Sequence, residues 1–132
     1  MKPCPCMSGK AYAACCELAH QNKRWPLTAE DLMRSRYSAY VIGLVAYIVK
    51  TTHPKFRSRN FEDEISEWMA SSEWSYLEIL ETKLGSESDE FGEVEFVAEF
   101  KFEGQNHILH ENSNFVRYKG RWVYTKGEVF SE

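Results

Sequence analysis

All four cysteines of the 132-residue chain fall between positions 4 and 16, in the order Cys4-x-Cys6-x8-Cys15-Cys16. Cysteines used as small apolar core residues would be scattered along the chain. Clustered in this way they converge on one point, and thiolates suit a borderline-soft cation that takes four ligands tetrahedrally. A segment this short has no core of its own, so ion binding supplies the free energy that folds it. The pattern therefore predicts a structural zinc ion held by Cys4, Cys6, Cys15 and Cys16. Four protein ligands leave no open coordination position, which argues against a catalytic ion. The bland alternative is four reduced thiols in a frayed terminus. Pro3 and Pro5 stiffen the first pair, and Ser8-Gly9 reads as a turn. Ala11 to His20 has the composition of a short helix, which would carry the second pair into the site. Side chains of adjacent helical residues diverge by about 100°, so Cys15 and Cys16 meet at one ion only if the backbone helps. His20, one helical turn beyond Cys16, is the reserve ligand.

Thiols kept for metal rather than disulfides suit a reducing compartment, and a cytoplasmic location is the expectation. The start of the chain lacks the apolar stretch of a secretory signal. The longest apolar run, Val41 to Val49, falls well short of the roughly 20 residues of a membrane span. Net charge is −4 but uneven: residues 1–24 carry Lys2, Lys10, Lys23 and Arg24 against Glu17, a net +3, which leaves −7 for the rest. An acidic body does not offer the clustered Lys and Arg that a nucleic-acid surface needs. The basic head suits an acidic protein partner.

The remainder reads as α+β. Thr28-Ala-Glu-Asp31 is a helix start with Thr28 as N-cap. Leu32, Met33, Tyr37, Tyr40, Val41 and Leu44 recur at helical spacing, with Gly43 as a break before a second helix that ends near Thr52-His53-Pro54. His53 at that boundary is expected to cap a helix end. Phe61 to Ser71 forms an amphipathic helix with Ile65, Trp68 and Met69 on its apolar stripe. Four strands follow: 74–84, 91–103, 106–118 and 121–126. The second is clearest, because Val94, Phe96, Ala98, Phe100 and Phe102 alternate with Glu93, Glu95, Glu99 and Lys101. Short connections at Gly85, Gly104-Gln105 and Lys119-Gly120 make an antiparallel meander. Helices first and strands afterwards give a segregated α+β domain. Trp68, Trp74 and Trp122 are expected in its core.

Two resemblances fit these residues. Cys4-Pro-Cys6-Met-Ser8-Gly9-Lys10-Ala-Tyr12-Ala-Ala-Cys15-Cys16 resembles the SEC-C motif, a zinc module of the bacterial protein-export motor ATPase and of many other bacterial proteins; Met7 stands where glycine is usual. The resemblance implies that the four cysteines are the zinc ligands. It also implies a recognition role, since the similar motif in the ATPase binds a chaperone and anionic lipid. Leu32-Met33-Arg34-Ser35-Arg36-Tyr37-Ser38-Ala39-Tyr40, with Tyr47-Ile48 and Thr51-Thr52-His53-Pro54, is similar to the YchJ-like family of small bacterial proteins. That resemblance implies a domain of the nuclear transport factor 2-like (cystatin-like) fold: a cone in which helices pack on a curved four-stranded antiparallel sheet. The division expected is a zinc-binding motif over 1–24 and the cone over 25–132.

Domains of this fold often hold a ligand between helices and sheet. His107, Leu109, Glu111, Ser113 and Phe115 share one side of the third strand, and the last three match positions typical of the family. If Leu109 and Phe115 point inward, so does Glu111, and a buried carboxylate needs a partner. Arg34 or Arg36 on the first long helix is the candidate, Arg36 lying nearer the apolar stripe. Such a pair would chiefly be a structural lock. The alternative is a polar pocket lined by Arg36, Tyr37, Tyr40, Glu111 and Ser113. No residue is assigned a catalytic role, and phosphate-loop, nucleophile-elbow and His-Glu-x-x-His patterns are absent. Two functions remain in view. The first is a zinc-bearing interaction module that takes an acidic partner. The second is a small-molecule-binding protein, or an enzyme, that uses the cone.

Overall fold

A computed structural model describes residues 2–130. A single 3-10 turn, Tyr12–Ala14, precedes a short helix α1, Cys16–His20. Three further helices follow, α2 (Ala29–Ile42), α3 (Val45–Lys50) and α4 (Phe61–Ser71), and then strands β1 (Ser72–Leu84), β2 (Phe91–Phe102), β3 (Gln105–Tyr118) and β4 (Arg121–Val129). The sheet runs β1-β2-β3-β4, each pair antiparallel. The segregated α+β meander expected from the sequence is the observed architecture.

α2 is the element on which everything else is assembled. It starts where Thr28 Oγ1 accepts a hydrogen bond from the Asp31 N–H (3.1 Å), with Glu30 and Asp31 favourably placed in the first turn. It stops at Gly43, whose left-handed backbone (φ 96°) lets its N–H reach Ala39 O at 2.8 Å. One side packs Leu32, Met33 and Tyr37 onto Leu77, Val94, Phe96, Ala98, Phe115 and Trp122 of the sheet. Each such large apolar side chain contributes roughly 1.5–3 kcal/mol of transfer free energy. Another side packs Ala39 with Ala19, Tyr47 and Ile48, over which Phe61, Ile65 and Met69 of α4 close.

The strands extend slightly beyond expectation. β1 begins at Ser72 rather than residue 74, and β4 continues to Val129 rather than 126. β3 is long enough to pair with the extra turn of β4, so that Glu111 faces Val129 and Ser113 faces Gly127. An irregularity between Asn114 and Phe115 sets this register, because Asn114 faces Lys126 while Phe115 faces Tyr124, leaving Thr125 as an extra residue. His53 caps the turn after it rather than the helix before it: its Nδ1 accepts from the Lys55 N–H at 3.0 Å. Among the described residues no helix is long and apolar enough to cross a membrane.

Candidate functional site

Residues 2–12 fold back on themselves. The Cys4 N–H donates to Lys10 O (2.9 Å) and the Tyr12 N–H to Lys2 O (3.0 Å), forming a small knuckle with the Cys4-Pro-Cys6 turn at its tip. Cys15 and Cys16 reach that tip in a way that helical periodicity does not anticipate. The 3-10 turn ends at Ala14, Cys15 leaves helical conformation altogether (φ −133°, ψ −114°), and Cys16 opens α1. The break between the two residues, not a shared helix, turns both side chains to the same point. The four Sγ atoms lie within 4.8 Å of one another, and three of the four residues are buried. Zinc–sulfur bonds of 2.3 Å in a tetrahedron require sulfurs about 3.8 Å apart, and Cys6 and Cys15 Sγ already stand at 3.6 Å. Hydroxyls surround the sulfurs: Ser8 Oγ is 3.2 Å from Cys15 Sγ, and Ser38 Oγ donates to Cys16 Sγ at 3.2 Å. This donor set fits a thiophilic ion with an outer layer of hydrogen bonds. The neighbouring Cys16 thiol is the largest influence on Cys6, pulling its pKa down to about 4, while Cys16 itself is pushed up by Cys6 and by burial.

Met7 occupies the left-handed region, φ 63°, with its side chain 47% exposed. That conformation costs a non-glycine residue about 1–2 kcal/mol. Glycine gives back about 0.4–1 kcal/mol through the freer unfolded chain. Met7→Gly is therefore expected to stabilise the metal-bound knuckle by about 0.5–1 kcal/mol. In a competition titration against a chromogenic chelator this reads as metal affinity tightened about two- to fivefold.

The knuckle is packed on α2 rather than hanging from it. Arg34 Nη1 donates to Cys6 O (2.8 Å) while its Nε pairs with Glu30 (3.0 Å). Ser38 lies under both Cys4 and Cys16. His20, the reserve ligand expected from the sequence, is otherwise engaged. Its Nε2 sits 2.8 Å from Ser35 O and must donate there, which leaves Nδ1 to accept from the Tyr12 hydroxyl at 2.7 Å. The ring also packs edge-on against Tyr47 at 4.7 Å. Burial pulls the His20 pKa below its ordinary value, although Ser35 O acts in the other direction. The folded state thus binds this proton less readily than the unfolded chain. The resulting stability is present above the unfolded pKa near 6.5 and is lost as pH falls below it. His20→Asn should cost about 1 kcal/mol at neutral pH through the lost hydrogen bonds. It should also flatten the fall in melting temperature between about pH 7.5 and pH 5.5, and thermal melts of both proteins at the two pH values check this.

On the opposite side of α2 a cavity of about 220 Å³ opens between the helix and the concave face of the sheet. Arg36, Tyr37, Tyr40, Glu111 and Ser113 all line it. The expected ion pair is not made: among the described residues neither Arg34 nor Arg36 pairs with Glu111. Arg34 faces the knuckle. Arg36, 8% exposed, turns toward the end of α3, where Nη1 donates to Thr51 Oγ1 (2.8 Å), Thr52 Oγ1 (3.0 Å) and Ile48 O (3.2 Å). Its guanidinium lies over the Tyr124 ring, with Cζ 4.5 Å from the centroid. Burial lowers the Arg36 pKa, opposed by the surrounding phenols and Glu111, and an arginine stays charged all the same. Glu111 Oε2 accepts from Ser113 Oγ (2.7 Å) and from the Tyr124 hydroxyl (3.3 Å). Burial pushes Tyr37 up to about 12 and also raises Tyr40 and Tyr124, so all three phenols keep their protons.

Sequence reasoning missed Tyr124 and Gly127. A Cβ on Gly127 would sit 1.9 Å from Glu111 Oε2, so the carboxylate occupies space that only glycine leaves open. A glycine inside a strand is a recognised sign of such close approach. Trp68 and Trp74, expected as core, form a wall of the cavity, and Trp74 Nε1 is buried with no hydrogen-bond partner among the described residues. Trp122 is core, its Nε1 donating to Leu27 O at 3.0 Å. His107 stacks on Phe100 at 5.2 Å while His110 pairs with Glu95 at 2.6 Å on the other face, so the two histidines do not form a metal pair.

Residues 2–18 match the model of the SEC-C motif, and residues 28–127 match that of the YchJ middle NTF2-like domain. The chain belongs to the YchJ-like family. A UPF0225 protein of Vibrio parahaemolyticus is 44% identical over 124 residues, covering 94% of this chain and 73% of the relative. A UPF0225 protein of Geobacter sulfurreducens is 43% identical, covering 94% and 77%. The solution structure of a SEC-C motif-containing protein from Rhodopseudomonas palustris superposes with a TM-score of 0.85 at 38% identity, covering 97% of this chain and 98% of that one. The crystal structure of a SEC-C motif-containing protein from Psychrobacter arcticus gives 0.77 at 30% identity, covering 98% and 83%. The nuclear transport factor 2-like fold and the YchJ-like resemblance read from the sequence both hold.

Proposed function

We propose that the protein binds a small polar molecule in the cone cavity, and that a structural zinc ion on Cys4, Cys6, Cys15 and Cys16 braces the helix that forms one wall of that cavity. The observation that carries this reading is Arg36: a guanidinium more than nine-tenths buried, with Nε and Nη2 unpartnered among the described residues, beside a carboxylate with which it does not pair. Among the described residues the buried side-chain donor left without a partner is Trp74 Nε1, so Nε and Nη2 of Arg36 keep contact with the cavity space, where a ligand would take the place of water on them. A space of about 220 Å³ is many times what one water needs. Two measurements test the reading. Freshly purified, unchelated protein should contain about one equivalent of zinc. In a fragment screen followed by NMR, hits should shift the Arg36 Nε–H and Trp74 Nε1–H resonances together. A screen in which no compound moves either resonance sinks the cavity reading.

A second reading has its own observation. A groove of about 340 Å³ runs between the knuckle and the start of α2, lined by Lys10, Arg24 and Arg34 on one side of the charge balance and by Glu30 and Asp31 on the other. Lys2 and Lys23 are exposed in the same N-terminal segment, whose net charge of +3 suits an acidic protein partner. Because the knuckle packs on α2, removing cysteines would disturb both surfaces at once. Lys10→Glu with Arg24→Glu is the cleaner test, expected to abolish capture of an acidic peptide while leaving the melting temperature unchanged.

A further inference from the structure

We propose that the ligand of the cone cavity is a small zwitterion of the α-amino acid type, its carboxylate on Arg36, its ammonium on Glu111 and its apolar side chain against Met33, Trp68 and Leu109. This rests on the cavity reading above and narrows it to a chemical class.

The charges in the cavity decide the class. It holds one guanidinium and one carboxylate that are not paired with each other. A simple anion would satisfy Arg36 and be repelled by Glu111; a simple cation would meet the reverse. An apolar molecule would seal Arg36 Nε and Nη2 and Glu111 Oε1 away from water without partners, which is costly at both groups. A molecule carrying both poles completes both groups, with charge-assisted hydrogen bonds at each end.

The placement agrees. Tyr124 touches both groups, its ring face under the guanidinium (4.5 Å from Cζ to the centroid) and its hydroxyl 3.3 Å from Glu111 Oε2. Two opposite charges that share this side of the cavity without pairing suit a ligand whose own two charges lie on adjoining carbons. The free atoms point the same way. Nη1 of Arg36 is taken up at the end of α3, which leaves Nε and Nη2 in the fork geometry that matches a carboxylate. Ser113 and Tyr124 both donate to Oε2 of Glu111, which leaves Oε1 as acceptor for an ammonium. The Tyr40 hydroxyl, with no partner among the described residues, is a further polar contact in the same wall.

The carboxylate is also held deliberately. Glu111 lies against the backbone of Gly127, where any Cβ would clash with Oε2, Cδ and Cγ at 1.9, 2.4 and 2.8 Å. Gly127 comes opposite Ser113 only because of the β3–β4 irregularity at Thr125. Beyond the charged end the walls are apolar, and the volume of about 220 Å³ limits the ligand to a small molecule.

The test is calorimetry and NMR titration of the whole 132-residue chain, loaded with zinc, with the common L-amino acids. The tightest of them is then compared with its methyl ester, its N-acetyl derivative and its deaminated acid. Binding of at least one amino acid is expected, with each one-pole analogue weaker by at least about tenfold. Arg36→Met should abolish binding. Glu111→Gln should erase the preference for the amino acid over its deaminated acid. Gly127→Ala should weaken binding at least about tenfold with little change in fold, since the clash falls on a side-chain terminus. If the deaminated acid binds wild type as tightly as the amino acid, or if only unrelated fragments bind, the zwitterion is overturned while the cavity reading stands. If no small molecule shifts the cavity resonances, both fall together.

Discussion

Withdrawing the proposed zinc ion with a chelator should unfold the knuckle and lower the melting temperature of the whole chain by about 15 °C. The figure follows from linkage. An ion present at about 1,000 times its dissociation constant stabilises the state that binds it by about 4 kcal/mol, and a domain of this size loses roughly 3–4 °C per kcal/mol. The loss should not stay local. Cys4 and Cys16 rest on Ser38, Cys6 O accepts from Arg34, and His20 bonds to Ser35 O, all on α2. When the sulfurs scatter, one side of that helix loses its cover. Cys16→Ser isolates the effect, because a serine there keeps a hydroxyl beside Ser38 and removes only the ligand. It should behave like chelated wild type in thermal melts and in amide exchange over residues 2–20. Coincident melting curves with and without chelator would mean that the cysteines do no more than pack.

The architecture was readable because the local signals agree with one another. Thr28 caps, Gly43 stops, Phe61–Ser71 is a helix and the β2 alternation buries Val94, Phe96 and Ala98, each as its pattern implies. The candidate sites were readable only as lists of residues. Helical periodicity describes Cys15 and Cys16 wrongly, since their convergence depends on a backbone break at Cys15 with no distinctive residue type behind it. The Arg36–Glu111 pair was a reasonable expectation from burial alone. In its place Arg36 Nη1 takes one carbonyl and two hydroxyls at the end of α3, a tertiary fact with no trace in the spacing of α2. Gly127 did carry a signal, a glycine within a strand, but its meaning depends on a register shift that no pattern of alternation reveals. The charge split between head and body suggested a tethered basic module, whereas the contacts with Arg34, Ser35 and Ser38 make the head part of the same structure as the cavity wall.

That shared wall makes the seating of α2 the most sensitive point in the molecule, and Gly92→Ala should destabilise the protein by about 3 kcal/mol. At the start of α2 the Ala29 N–H, one of the donors a helix leaves unmatched, bonds to Gly85 O at 2.9 Å. The helix end comes this close because Gly85 and Gly92 face each other across the β1–β2 turn without side chains. A Cβ on Gly92 would lie 2.5 Å from Gly85 Cα and 2.8 Å from Gly85 N, and 3.3 Å from Ala29 Cβ. The first two are backbone atoms, so no side chain can swing aside; the hairpin must open or the helix must lift. Gly104 is the control. Its backbone is left-handed (φ 83°) but nothing lies within 4 Å of its Cβ position, so Gly104→Ala should cost only about 1 kcal/mol. Denaturant unfolding of the two variants separates close approach from backbone conformation, and equal losses would remove the case for a special seat. Arg36, Tyr37 and Tyr40 follow Ala29 on the same rigid helix, so displacing its first turn moves one wall of the cavity. Gly92→Ala should therefore weaken ligand binding as well, although Gly92 is not among the residues that line the cavity.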